Sequence, residues 1–218
     1  MTYLELINRV LTRLRLDTAA DLSESYTLLV GQFVNQAKEE IEAEGPWKAL
    51  RSEVTVTTAA ATDTYTITGT NERSYVLRGA DDDLEIFETT TGSHTQVEVI
   101  DWEDMRQLKK LEPSVTSGRP TYVAFDKTST GLRLQFYPTP DSIRTYAVTC
   151  VIPQAELSVA STSMSIPGRP VWMLAAFYAA QERGAELSGE LTEAKARDAV
   201  QAAILNDFGL DTRGFYPD

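Results

Sequence analysis

Between Leu132 and Ile152 apolar and polar residues alternate in two runs around the connection Pro138-Thr139-Pro140-Asp141. Leu132, Leu134 and Phe136 fall on one face of the first run, and Tyr146, Val148, Cys150 and Ile152 on one face of the second. A period of two predicts strands, and a proline-rich connection between two such runs predicts a hairpin. Pro138 and Pro140 stop the first strand and fix φ where no ladder N–H is needed. Upstream, Glu53–Thr57 and Thr64–Thr68 predict a pair of strands around an alanine-rich turn. Tyr75–Leu77, Leu84–Phe87, Val97–Ile100 and Thr121–Phe125 extend the β pattern. Asp101 to Leu111 interrupts it with a short helix whose first-turn acids suit the helix dipole.

Both ends of the chain carry the helical period instead. Thr2-Tyr3-Leu4-Glu5 has capping-box spacing ahead of a stripe of Tyr3, Leu6, Ile7, Val10, Leu11 and Leu14. Arg9, Arg13 and Arg15 occupy the other side, read as a solvated face. A second helix, capped by Ser23 or Ser25, runs through Tyr26, Leu29, Val30, Phe33, Val34, Ala37 and Ile41 to a stop at Gly45-Pro46. Its glutamates Glu39, Glu40, Glu42 and Glu44 also read as solvated. After Pro170 a charge-free run, Val171 to Ala180, predicts a buried helix whose alanines admit close neighbours. A further helix follows a break at Ser188-Gly189 and ends near Phe208.

These patterns predict an α+β fold, a helical bundle built from N-terminal and C-terminal helices with an inserted antiparallel β-sandwich or barrel-like region. The expected boundaries are 1–50 for the N-terminal helices, 51–166 for the β insertion, 167–207 for the C-terminal helical hairpin and 208–218 for an extended arm. That arm has no period, yet it carries Phe208, Leu210, Phe215 and Tyr216, which it cannot bury alone. It docks either on its own domain or on a partner.

Composition narrows the function. With 218 residues, 42% hydrophobic and 24% charged, the chain has an ordinary globular balance. No apolar run approaches the ~20 residues of a bilayer span, and no signal-peptide pattern is present, so no membrane partner and synthesis in a cytoplasm are expected. Cys150 is the only cysteine, which excludes an intramolecular disulfide and CxxC metal sites and reads as an inert buried thiol. A net charge of −12 argues against a phosphate-gripping protein.

Catalytic candidates are sparse. A Ser-His-Asp or Cys-His arrangement would need His94, the only histidine, in a predicted turn. Asp81-Asp82-Asp83 lacks the Gly and Glu spacing of an EF-hand loop. Glu85, Glu88, Glu98, Glu103 and Asp104 offer carboxylates for a glycosidase-like pair that sequence cannot tell from acidic surface. No Walker A or GxGxxG loop occurs. No enzyme activity, no catalytic or metal-binding residue and no cofactor is expected.

Several features recur in a characteristic order: Gly45-Pro46-Trp47 after two short helices, Val97 to Arg106 leading to Gly118-Arg119-Pro120-Thr121-Tyr122, then Tyr137-Pro138-Thr139-Pro140-Asp141, a strand ending at Ile152-Pro153, and a proline-introduced, alanine-rich helix. Over residues 1 to 207 this layout resembles the head-to-tail adaptor (connector) proteins of tailed bacteriophages. The resemblance implies a structural virion protein of the neck, made in the host cytoplasm, that joins a homo-oligomeric ring of typically twelve copies. It implies a portal protein above, a tail or nozzle protein below, and DNA passing through without specific binding. Carried onto this sequence, 208–218 would be the portal-reaching arm, with Phe208, Leu210, Phe215 and Tyr216 at the portal or neighbour interface. A stopper or tail terminator on the same plan, and a glycan-binding or glycan-cleaving β module, remain the alternatives.

Overall fold

The computed structural model describes residues 1–77, 86–90, 95–111, 117–184 and 193–207. It is an α+β chain divided into a helical unit, Met1–Leu50 with residues from Gln154 onward, and a β unit, Arg51–Pro153.

The helical unit contains α1 (Tyr3–Arg13), α2 (Ser25–Ala43), α4 (Gly168–Glu182) and α5 (Glu193–Asp207). The capping box predicted for α1 is formed. The Thr2 hydroxyl accepts from the Glu5 N–H, and the Glu5 carboxylate accepts from the Thr2 N–H at 2.9 Å. Tyr3, Leu6, Ile7, Val10 and Leu11 are buried, as the 3.6 period requires, each such side chain contributing on the order of 2 kcal/mol. α1 packs against α2 and α4, in which Val30, Val34, Ala37 and Ile41, and Val171, Leu174, Ala175 and Ala179, are also buried. At Gly31 a β-carbon would overlap the Tyr3 hydroxyl, so glycine sets how closely α1 and α2 approach. The α2 N-cap is Glu24, not Ser23 or Ser25, and makes no side-chain cap bond. Past α2, Trp47 is buried and its indole N–H donates to the Ile41 carbonyl at 2.8 Å.

Residues 154–166 form a strap held by this unit. The Asn35 side chain donates to the Leu157 carbonyl at 3.0 Å and accepts from the Leu157 N–H at 2.9 Å. Lys38, fully buried, donates to the carbonyls of Gln154 and Ala155 at 2.6 and 3.0 Å and lies 3.5 Å from Glu42. The N-terminus joins the strap through Tyr3 N–H to Thr162 O and Met164 N–H to Met1 O.

Among the described residues the β unit contains nine strands in two sheets, plus the helix α3 (Trp102–Leu111) predicted from Asp101 onward. In the first sheet β9 (Thr145–Val151) lies beside β1 (Arg51–Thr57), with Arg51 opposite Val151 and Thr57 opposite Thr145. Its other edge pairs with β3 (Tyr75–Val76) and β4 (Ile86–Glu88), and β4 carries β5 (Thr95–Gln96). In the second sheet the order is β2 (Thr64–Thr66), β8 (Gly131–Tyr137), β7 (Tyr122–Thr128) and β6 (Glu98–Val99). The β6–β7 pair is parallel, so the region is not wholly antiparallel.

The expected hairpin of Leu132–Ile152 does not form. β8 and β9 belong to different sheets, and the Pro138–Arg144 connection carries the chain from one to the other. The predicted faces are nevertheless the buried ones: Leu132, Leu134, Phe136, Tyr146, Val148 and Cys150 share one core. Two strands whose apolar faces oppose across a sandwich show the same period-2 pattern as two strands side by side. Phe136 and Tyr146 meet across that core with ring centroids 4.5 Å apart. The expected β1–β2 pair fails for the same reason, since β1 pairs with β9 and β2 with β8. On the outer face of β7 and β8, Met105 of α3 covers Ala124 and Tyr137.

Candidate functional site

The predicted interface residues Phe208, Leu210, Phe215 and Tyr216 lie outside the described residues. The helix from which they continue is well anchored. Arg197 of α5 reaches Glu193 at 2.9 Å, Glu40 at 3.1 Å and Glu44 at 3.2 Å. Ile204 lies against Gly45, and the Asp207 carboxylate accepts the Lys48 N–H at 2.7 Å. The glutamate run read as solvated is therefore engaged: Glu40 and Glu44 face Arg197, Glu40 also accepts from the Tyr178 hydroxyl, and Glu42 is buried beside Lys38. A charge run at the end of a helix says nothing about the cations a distant helix brings to it.

Of the carboxylates weighed for catalysis, Asp81, Asp82, Asp83 and Glu85, like His94, lie outside the described residues. Glu98 and Asp104 are exposed, and Glu103 pairs with Arg106 one helical turn away. Glu88 alone is buried, at 2% side-chain exposure, between Arg119 at 2.9 Å and Arg144 at 3.1 Å. Arg144 continues to Asp141 at 3.2 Å, and Arg119 to the Thr95 hydroxyl at 3.0 Å. A carboxylate whose two oxygens each face a guanidinium group braces the elements that carry those arginines. The clamp joins two of the motif pieces that recur along the sequence. Gly118 donates to Thr139 O at 2.9 Å, and the Asp141 N–H donates to Gly118 O at 3.2 Å, so Gly118-Arg-Pro-Thr-Tyr and Tyr137-Pro-Thr-Pro-Asp are neighbours in space. Glu88→Ala should cost about 2 kcal/mol, because it leaves two cations facing each other while both retain some solvent. Urea unfolding of the variant measures that loss.

Cys150 is fully buried in the sandwich core, and burial pushes its thiol up to about 11. A neutral, enclosed thiol is a poor nucleophile. The native chain should therefore resist maleimide labelling that goes to completion in guanidinium chloride, as a mass shift on the intact protein would show. Among the described residues no group of three or more His, Cys, Asp or Glu could hold a metal ion. Among them, too, no helix is long and apolar enough to cross a membrane.

Two surface grooves lie within the helical unit. One, of about 630 Å³, is lined by Arg9, Arg13 and Arg15 at the α1 end and by Trp172 of α4, with Glu5, Asn8 and Thr12 completing it. The other, of about 720 Å³, lies between the start of α4 and α5, over Pro170, Met173, Ala199, Ala202 and Ala203. Arg9 and Arg13 of the first were legible as a basic helix face, whereas Arg15, read with them, lies past the end of α1 with φ of 57°. That Trp172, more than 150 residues later, walls the same groove was not.

Comparison with curated proteins finds no match. The family model for the SU10 adaptor protein matches residues 1–214, nearly the entire chain. The chain belongs to the SU10 adaptor protein family, bacteriophage adaptor-type structural proteins that are components of the virion and interact with other capsid or tail proteins.

Proposed function

We propose that this chain is a head-to-tail adaptor, a ring of copies that docks beneath the phage portal, receives a tail component below and extends the channel through which DNA passes. The observation that carries the reading is the family match over residues 1–214. It is supported by a C-terminal segment with four large apolar residues that continues from an anchored helix. Interfaces concentrate binding energy in a few such aromatic and aliphatic anchors.

The charge fits the role. Twelve copies at −12 each carry about 140 net negative charges, a field that discourages DNA from adhering during passage. Mixing the purified chain with portal rings and imaging by negative stain tests the proposal. Ring density added under the portal is the expected result. Density only on isolated tails would assign the chain to a stopper or terminator position instead.

A further inference from the structure

We infer that the basic groove of α1 and α4 is a socket for an acidic segment of a second copy of this chain, namely the stretch Asp81-Asp82-Asp83-Leu84-Glu85. The choice of a second copy rests on the reading of the chain as a ring component; the chemistry of the socket does not.

The groove is a local inversion of sign on a chain of net charge −12. It gathers three exposed arginines against the single carboxylate of Glu5, which is already committed to the Thr2 N–H. Among the described residues neither Arg9 nor Arg15 has a carboxylate partner. Trp172 supplies an apolar wall that is only partly covered. A groove of about 630 Å³ accommodates a few residues of extended peptide rather than a folded domain. Its chemistry asks for several carboxylates and one apolar side chain at close spacing.

The sequence offers two stretches of that kind, and one of them, Asp101-Trp102-Glu103-Asp104, is folded into the start of α3 with Glu103 on Arg106. Residues 81–85 hold four carboxylates and a leucine in five positions. The glutamate run at the end of α2 is spent inside its own unit, with Glu42 beside Lys38 and Glu40 and Glu44 on Arg197. Duplex DNA matches the sign of the groove but brings a far denser line of charge against a strongly acidic protein, which disfavours it. A socket on one copy and a complementary segment elsewhere on the next is a heterologous contact, the kind that closes rings.

The test is fluorescence anisotropy of a labelled peptide of residues 79–86 titrated with the full chain, beside the same peptide with asparagine at 81–83. The acidic peptide should bind, the asparagine peptide should not, and binding should weaken as salt rises. The variant R9Q/R15Q should bind about tenfold more weakly with unchanged circular dichroism. R9E/R15E should instead take a peptide with lysine at 81–83, which shows that a loss of binding is not a loss of fold. Equal affinity of the wild type and R9Q/R15Q would overturn the proposal, as would displacement of the peptide by a short DNA duplex at lower concentration. Tighter peptide binding by D81N/D82N/D83N would place the chain's own segment in the groove and overturn the intermolecular assignment. Portal docking that fails while the peptide still binds would strike the adaptor reading alone.

Discussion

Deleting residues 208–218 is expected to abolish association with portal rings and to leave the monomer folded. The segment carries Phe208, Leu210, Phe215 and Tyr216 within eleven residues. If each anchor fills a pocket on the partner at about 2 kcal/mol, removing all four weakens binding by more than about 10⁴-fold, beyond detection by co-sedimentation. The cut falls after Asp207 because that carboxylate caps the Lys48 N–H, and it leaves Ile204 against Gly45 and Arg197 between Glu40 and Glu44. The thermal midpoint should therefore stay within about 2 °C of the full chain. A narrower variant, F215S/Y216S, should lose most of the affinity while retaining the segment's length. A truncated chain that still decorates portals would move the portal contact to another surface.

How far such features could be read from sequence depends on whether the signal is local. The capping box of Thr2 and Glu5 spans three positions and forms as predicted. The inward faces of β8 and β9 follow from alternation within seven residues each, and they are buried. What alternation cannot encode is the partner. The faces of Phe136 and Tyr146 look the same whether their strands pair or oppose, and here they oppose across the core. Glu40, Glu42 and Glu44 look solvated until Lys38 and Arg197 are placed beside them, the latter from more than 150 positions away. Glu88 is similar: one acid among several in the sequence, but buried by Arg119 and Arg144 from two later strand connections. The alanines of α4 were informative because small residues imply close neighbours whichever helix those prove to be. The basic groove shows both sides, since Arg9 and Arg13 share one face of α1 while Arg15 follows the helix end and the tryptophan arrives from α4.

The strap 154–166 illustrates the costliest of these nonlocal arrangements, and Lys38 should be its most sensitive point. The side chain has no solvent exposure, and its ammonium donates to the Gln154 and Ala155 carbonyls while facing Glu42. Glu42, itself buried, also accepts the Gln154 N–H at 3.2 Å. Lys38→Ala removes the cation that faces the buried Glu42 carboxylate and takes its donor from two carbonyls. The expected loss is about 3–5 kcal/mol, or roughly 10 °C in midpoint for a chain of this size. Replacing the pair together, K38M/E42L, removes the uncompensated charge and should recover part of that loss. It should not recover all of it, because the Gln154 and Ala155 carbonyls and the Gln154 N–H still lack partners at about 1–3 kcal/mol for each buried group. Urea unfolding of wild type, K38A and K38M/E42L should therefore place the double variant between the other two. A double variant as stable as wild type would mean that the ion pair, rather than the strap's backbone bonds, accounts for the effect. A K38A variant within 1 kcal/mol of wild type, on the order of an ordinary exposed substitution, would show that the strap is held from elsewhere.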